Sequence, residues 1–312
     1  MDKLLSIGSA ALKKAAFNEK AKEYVLDNPV LFNVLKKAAD RYIGGETLEE
    51  TLTKVIQQNR DGFKCSVEFM GESTRSEQEA NEATHEFIRI CQEISRQKLY
   101  STVSLDLSHI GLAIAEDLCF NNLMAICTAA AQSGTEVIIS AEGTERTDAI
   151  INTYKRAVKE YNGVGITMQA YLYRSKDDFK ELIKEPGRIR IVKGAFETVP
   201  GLSMPRGEQL DEAYLGYVDQ LLSEGHLCSI ATHHDKVQQK AKELIHHHQP
   251  DKNKYEFESL YGIQTEQLEK LKEEGYPTKL YFVYGKEWYL YLCNRLAEYP
   301  MNIFRALNDI VS

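Results

Sequence analysis

The sequence predicts a closed (β/α)8 barrel over residues 61–312, preceded by a helical arm over residues 1–60. Eight short segments rich in Val, Ile and Tyr recur along the chain, and longer amphipathic helical stretches separate them. Alternating strands and helices are typical of βα units that build a parallel sheet, and eight units in about 250 residues match a closed barrel. An open doubly wound sheet is the alternative, but no predicted strand is followed by the GxGxxG turn of dinucleotide-binding sheets.

Each element follows from local residue patterns. The eight predicted strands are CSVEF (65–69), TVSLDL (102–107), EVIISA (136–141), VGITMQA (164–170), IRIV (189–192), LCSIA (227–231), YEF (255–257) and KLYFVY (279–284). The helical stretches between them include DAIINTYKRAVKEY, DDFKELIK, DEAYLGYVDQLLSEG and TEQLEKLKEEG. In these stretches apolar residues recur three and four positions apart, which predicts helices with one buried face.

The arm shows the same helical period. KKAAFNEKAKEYVL (13–26) and TLEETLTKVIQQ (47–58) are predicted as helices, and Gly44-Gly45 separates them. Thr47 with Glu50 predicts a capping box at the start of the second helix.

Composition excludes several classes of function. The net charge of −8 argues against nucleic-acid binding, which needs a basic face. No apolar run approaches the roughly 18 residues of a membrane span, and charge interrupts the N-terminal segment too often for a signal peptide. The six cysteines form no CxxC pair and are interpreted as small core residues of a cytoplasmic protein, and no metal site is predicted.

Charged residues at a strand end give the first indication of a site. In RIRIVKGAF (188–196), Arg190 lies within a predicted strand and Lys193 follows it. Barrel enzymes place their chemistry where strands end, and a ligand there can compensate the desolvation of a cation. The other polar residues at strand exits are Glu68, Asp106, Ser140, Glu142, Gln169, Thr232, His233, Glu258 and Tyr281. Converging cations and amides suit an anionic heteroaromatic ligand such as a flavin dinucleotide, or a sugar phosphate.

Six motifs in order carry a family resemblance. They are GE (71–72), VGITMQAYLYR (164–174), RIRIVKGAF (188–196), IATHHDK (230–236), YEFESLYGI (255–263) and YFVYGKEWYLYLCNRLAEYPMN (281–302). With these motifs the region from about residue 63 to 307 resembles bacterial monofunctional proline dehydrogenase, a flavin-dependent (β/α)8 enzyme.

The resemblance implies that FAD lies across the barrel mouth. Arg190 would approach the N5 side of the ring, where a cation favours the anionic reduced flavin, and Gln169 would contact the ring edge. The other cofactor-binding residues that it implies are Lys193, Gly194, Ala195, Thr232 and His233.

The last helix of the family supplies substrate groups. Here it carries Tyr291, Asn294, Arg295 and Glu298, which are spaced three and four apart and can share one face. Tyr281 and Leu260 would complete the apolar walls. The resemblance thus implies catalytic roles for Arg190, Tyr281, Tyr291 and Arg295.

Four positions depart from the family pattern. Asp106 replaces a lysine, Ser140 an aspartate, Phe196 a tyrosine, and Asn294-Arg295 a pair of arginines. The local balance falls by roughly two positive charges, and each charged contact to a carboxylate contributes about 1.5–3 kcal/mol. We therefore expect weak proline binding and a substrate, an amine or imino compound, whose carboxylate is absent, displaced or masked.

The expected reaction is oxidation of the C–N bond of proline, if compensating residues rescue its binding, or of a related cyclic or secondary amine, by hydride transfer to flavin N5. The family implies a quinone or another electron acceptor, and hence peripheral contact with the inner face of the membrane.

Two alternatives stay open. Lys193 could form a Schiff base, as in barrel lyases, or the barrel could bind a flavin or another ligand without catalysis.

Overall fold

Eight parallel strands close into a barrel in the computed structural model, which describes residues 2–16, 18–196, 198–298 and 302–311. Each strand pairs with the next along the chain, and β8 closes the ring on β1. The strands are β1 Lys64–Phe69, β2 Ser101–Leu105, β3 Val137–Ile139, β4 Val164–Gln169, β5 Ile189–Val192, β6 Cys228–Ala231, β7 Tyr255–Leu260 and β8 Thr278–Tyr284. The predicted barrel is confirmed.

Helices surround the ring. They are α1 Asp2–Ala16, α2 Glu19–Asp27, α3 Pro29–Asp40, α4 Leu48–Arg60, α5 Glu77–Gln97, α6 Glu116–Ala131, α7 Thr147–Glu160, α8 Ser175–Leu182, α9 Glu208–Ser223, α10 Asp235–His248, α11 Thr265–Glu273, α12 Trp288–Glu298 and α13 Asn302–Val311. The apolar faces of α4 to α11 and the outer faces of the strands form the main core. Because both faces of a strand in a parallel sheet are buried, the strand sequences are largely continuous apolar runs.

The arm differs from its predicted helices in one place. Thr47 accepts a hydrogen bond from the Glu50 backbone N–H (3.3 Å), as the capping box predicts. The Glu50 carboxylate accepts from Glu46 N–H (2.8 Å), one residue before the cap. The predicted helix over 13–26 is instead two helices, because Asn18 caps α2 by accepting from the Ala21 N–H (3.1 Å) and so starts a new helix. Residue 17 lies outside the described residues.

The arm packs beside the end of the barrel that carries α12. A second apolar cluster joins α1, α3, α12 and α13, and it reaches the barrel through Tyr281 and Val283 of β8. Phe32 of α3 meets Trp288 edge to face, with ring centroids 5.4 Å apart. Helix α4 instead buries Leu48 in the main core. The predicted substrate helix α12 is thus held between the arm and the barrel.

The turn after β7 is a close contact between the barrel and the arm. Gly262 has φ +75°, and a Cβ there would lie 1.9 Å from the backbone oxygen of Arg41. We expect Gly262→Ala to lower the free energy of unfolding by about 2–3 kcal/mol, because alanine would be strained and would displace Arg41. Gly216→Ala is the control, since nothing lies within 4 Å of its Cβ and helix propensity should raise stability by about 0.5–1 kcal/mol. Urea denaturation measures both, and equal stability of Gly262→Ala and wild type would contradict the contact.

Candidate active site

An ion-pair network fills the end of the barrel where the strands begin. Lys279 is fully buried, and its Nζ lies 2.5 Å from Glu256 and 2.8 Å from Glu258. Arg188 donates to Glu136 (2.8 Å) and to the Cys228 carbonyl (3.1 Å). Arg188, the first cation of RIRIVKGAF, therefore belongs to the ion-pair network where the strands begin, away from the strand exits.

The second cation of that stretch, Arg190, lies in the barrel interior with 4% of its surface exposed. Its Nε donates to Thr167 (2.8 Å). One terminal nitrogen donates to Ser104 (3.0 Å) and Glu258 (3.1 Å), and the other to Ser140 (3.1 Å). Burial alone would lower the pKa of Arg190, but the combined attraction to Glu258, Tyr281 and Glu68 outweighs it and the pKa is raised. Its charge is compensated from within the protein, and its orientation is fixed by partners in β2, β4 and β7 and directly after β3.

A tyrosine and a carboxyl group lie above this guanidinium. The Tyr281 ring centroid is 4.9 Å from the guanidinium carbon of Arg190, within the range of a cation–π contact. The Tyr281 hydroxyl donates to the Glu68 carboxylate, and Ser140 donates to the same oxygen of Glu68 (2.9 Å). Burial raises the pKa of both Glu68 and Tyr281. Arg190, Ser140, Glu68 and Tyr281 thus form one hydrogen-bonded unit drawn from four strands.

Asp106 follows β2 directly and is half-buried beside this unit. Burial raises the pKa of Asp106 well above its usual range, and the carboxylates of Glu68, Glu142 and Glu72 raise it further, while Arg190 opposes them. Glu142 accepts from the Ser108 N–H (3.0 Å) and from Arg146 (3.3 Å). Asp106 therefore lies in an acidic part of the mouth.

The predicted cofactor residues occupy three strand exits. Gln169 ends β4 and donates to the Glu142 carbonyl (3.1 Å). Thr232 follows β6 and accepts from the His234 N–H (3.1 Å). Lys193 follows β5, and its Nζ pairs with Asp211 and contacts His234 Nδ1 (2.8 Å). The ammonium of Lys193 is thus already compensated by a carboxylate.

Gly194 and Ala195 continue the exit of β5. Gly194 has φ +108°, and a Cβ there would lie 2.2 Å from the Tyr171 ring. The contact with Tyr171 is therefore one reason for glycine at this position, beside the close ligand approach that the sequence suggests. Phe196 is 41% exposed, and its carbonyl accepts from the Tyr171 hydroxyl (3.0 Å). Phe196 and Glu298 are predicted substrate residues that the structure leaves exposed.

The last predicted group lies on α12 and beside it. Arg295 pairs with Glu298 (2.6 Å) and lies over the Tyr291 ring, 4.9 Å from its centroid. Burial and the charge of Arg295 lower the pKa of His233 to about 4, so its ring is neutral at pH 7. His233 Nε2 accepts from the Leu260 N–H at 3.4 Å. The face of α12 thus approaches the exits of β6 and β7, and Asn294 is half-buried on the same helix.

Four residues of this arrangement were not predicted as site residues. The sequence places Glu68 and Glu258 at strand exits without a role, and Ser104 and Thr167 lie inside predicted strands without a predicted role. The available signal was a polar residue inside an apolar strand, as in SVEF, VSL and ITM. Such a residue costs free energy unless it is paired, so it indicates a partner inside the ring.

The profile of the family described as Proline dehydrogenase matches residues 51–302. This chain belongs to the proline dehydrogenase family. Proline dehydrogenase 2 of Bacillus subtilis strain 168 is 35% identical over 273 residues, which cover 88% of this chain and 90% of that relative. Proline dehydrogenase of Deinococcus radiodurans is 30% identical over 269 residues, with 85% and 87% covered. The predicted family is confirmed, and the chain is an oxidoreductase of the proline dehydrogenase type.

Solved structures agree with the fold. Proline utilization A from Bdellovibrio bacteriovorus, inactivated by N-propargylglycine, superposes with a TM-score of 0.82 at 19% identity, over 94% of this chain and 36% of that one. Proline utilization A from Corynebacterium freiburgense gives 0.72 at 17% identity, over 99% and 34%. The chain thus spans about a third of these longer proteins, and the likeness supports the barrel alone. Within the described residues, every helix is too short or too polar to cross a bilayer.

Proposed function

We propose that this proline dehydrogenase family member binds FAD across the exits of its strands. We further propose that it oxidises the C–N bond of proline or of a related cyclic or secondary amine. The observation that carries the proposal is the buried guanidinium of Arg190, which four strands hold beneath Tyr281. A fixed cation needs no reorganisation when negative charge develops nearby. Residues 61–312 carry this site, and residues 1–60 support it from the side.

The residues present fit such a cofactor. Three buried polar atoms near the exits of β6 and β7 have no partner among the described residues: His233 Nδ1, Arg295 Nε and the Tyr291 hydroxyl. They are neighbours, since the charge of Arg295 lowers the pKa of His233 and its guanidinium lies over Tyr291. Unpaired buried polar atoms cost free energy, which a polar ligand between them would offset.

When bound, FAD supplies the two-electron acceptor for a hydride from the carbon beside the substrate nitrogen. Arg190 would supply positive charge beside the ring, and Gln169, Lys193, Gly194, Ala195, Thr232 and His233 would hold the dinucleotide. Tyr281 and Leu260 would exclude water from the reacting carbon. Tyr291, Arg295 and Glu298 would orient the substrate from α12.

Substrate specificity is proposed to differ from that for proline. Asp106 stands in acidic surroundings, and Asn294 offers no charge for a carboxylate. Arg295 is already paired with Glu298. Ser140 and Phe196 complete the altered set. A carboxylate placed beside Asp106 would be repelled, so an amine without a carboxylate is the better match.

The reduced cofactor needs an acceptor. We propose a quinone or another small electron acceptor, with the protein in the cytoplasm and in peripheral contact with the inner face of the membrane. The Schiff-base alternative has no support in the geometry, because the Lys193 ammonium is paired with Asp211 and a nucleophilic lysine must be neutral.

Anaerobic mixing with amines tests this function. The purified protein is expected to be yellow, and cyclic amines such as pyrrolidine are expected to bleach its visible absorbance as the flavin is reduced, whereas L-proline bleaches it only weakly. Bleaching by L-proline at ordinary millimolar concentrations would overturn the altered specificity alone. A yellow protein that only dithionite reduces would support the non-catalytic alternative, and a colourless protein that takes up no FAD would refute the proposal.

A further inference from the structure

Carboxyl groups outnumber available cations on one side of the barrel mouth. Asp106 follows β2 directly, and beside burial the charges of Glu68, Glu142 and Glu72 raise its pKa, while Glu142 also raises the pKa of Glu68. Among the residues that the structure describes, none hydrogen-bonds to the Asp106 carboxylate, and Asp106 is half-buried directly after β2. This carboxylate is therefore available to a ligand.

The nearby cationic side chains already donate to other groups of the protein. Four of the five N–H groups of Arg190 donate to Thr167, Ser104, Glu258 and Ser140. Arg146 donates to Glu142 and to Ser73. Helix α12 carries a single cationic residue, Arg295, which pairs with Glu298. The described part of the mouth thus offers a carboxylate to a cation and has little positive charge left for an anion.

The chemistry of amine oxidation limits where that cation can lie. Hydride leaves the carbon beside a nitrogen only when the nitrogen lone pair is free, so the reacting amine must be neutral. A carboxylate beside the reacting nitrogen would favour its protonated form and oppose the reaction. The acidic group is therefore useful for a charge on the substrate that does not react.

We propose that the substrate is a diamine: its reacting nitrogen is neutral, and a second, protonated nitrogen is bound by Asp106, with Glu68 and Glu72 nearby. This inference rests on the proposed function and names its substrate class. In the reaction, the C–H bond beside the neutral nitrogen breaks, the hydride reduces the flavin by two electrons, and the substrate becomes an iminium ion. The second nitrogen keeps its proton throughout.

The test uses the FAD-loaded protein and three ligands that share a five-membered ring: 2-(aminomethyl)pyrrolidine, pyrrolidine and L-proline. Anaerobic stopped-flow measurement of flavin reduction gives a second-order rate constant for each ligand. The rate constant for the diamine is expected to exceed that for pyrrolidine by about 10- to 100-fold, because one charge-assisted contact contributes free energy of that size. The rate constant for L-proline is expected to be the smallest. Calorimetric titration of the dithionite-reduced protein, where no turnover occurs, is expected to give the same order of affinities.

Asp106→Asn isolates the contact. We expect the diamine-to-pyrrolidine ratio to fall by about 10- to 100-fold in both measurements. Glu145→Gln is the matched control, because it removes one exposed negative charge from the loop after the neighbouring strand β3 and should leave the ratio within about twofold. Retained FAD and circular dichroism check that the variants are folded.

The outcomes separate this inference from the proposed function. If pyrrolidine or L-proline reduces the flavin as fast as the diamine, the diamine inference is wrong and amine oxidation stands. If Asp106→Asn leaves the ratio unchanged, Asp106 does not bind the second nitrogen. If no amine reduces the flavin and calorimetry detects no binding of the diamine, the proposed function and the inference both fail.

Discussion

Arg190→Leu is expected to lower the free energy of unfolding by about 3–5 kcal/mol, the usual effect of removing one partner of a buried ion pair. The substitution leaves the Glu258 carboxylate, which is 3% exposed, without the guanidinium 3.1 Å away. It also removes hydrogen bonds to Thr167, Ser104 and Ser140. Flavin reduction by amines is expected to fall by about 100-fold or more, because the fixed charge beside the ring is lost. Urea denaturation and anaerobic stopped-flow measure the two effects.

A double variant separates stability from catalysis. Arg190→Leu leaves the Glu258 carboxylate with Lys279, 2.8 Å away, as its remaining ion-pair partner. Arg190→Leu with Glu258→Gln removes that carboxylate and should restore part of the stability, since the side chain at position 258 then carries no charge. It should not restore flavin reduction. Arg190→Lys keeps the charge but has no planar fork to reach four strands at once, so we expect intermediate stability. Recovery of full activity in the double variant would show that Arg190 acts only by supporting the barrel.

The fold was predictable because parallel barrel strands are buried on both faces. IRIV and VGITMQ stand out as apolar runs between amphipathic helices, and the burial of β4 is complete along its length. The order around the ring follows from short βα connections. The division of the first predicted helix was missed, because Asn18 is a weak signal inside a regular apolar period.

The partners of site residues were not predictable from the sequence. Arg190 reaches Thr167 because the register of β4 and β5 places these two residues opposite each other, and no local pattern fixes that register. Lys193 pairs with Asp211 because α9 packs over the exit of β5. A strand-end cation therefore indicates a site, but its neighbours decide whether a ligand or the protein compensates its charge. The roles of the individual site residues remain predictions.

The double substitution Asp106→Lys with Asn294→Arg is expected to raise kcat/KM for L-proline by about 100-fold or more. Two restored charge-assisted contacts to a carboxylate contribute about 3–6 kcal/mol together, and 1.4 kcal/mol corresponds to about tenfold. Burial, the largest cause of the raised pKa of Asp106, disfavours any charge at this position, but the carboxylates of Glu68, Glu142 and Glu72 raise that pKa further and would attract the new ammonium group. Steady-state kinetics with L-proline and pyrrolidine measures the change in specificity.

Asp106→Asn with Asn294→Gln is the matched control, since it removes the repelling carboxylate but adds no cation. We expect it to recover only the part of proline turnover that repulsion suppresses, about tenfold. If both cations bind the same carboxylate, the gains in activation free energy from Asp106→Lys and Asn294→Arg alone should add up to less than the gain of the double variant. The effects of groups that share a ligand are not additive. Equal proline turnover in the charged and neutral double variants would mean that proline's carboxylate is held elsewhere in the mouth. If both variants also equal the wild type, Asp106 and Asn294 have no part in selecting the substrate.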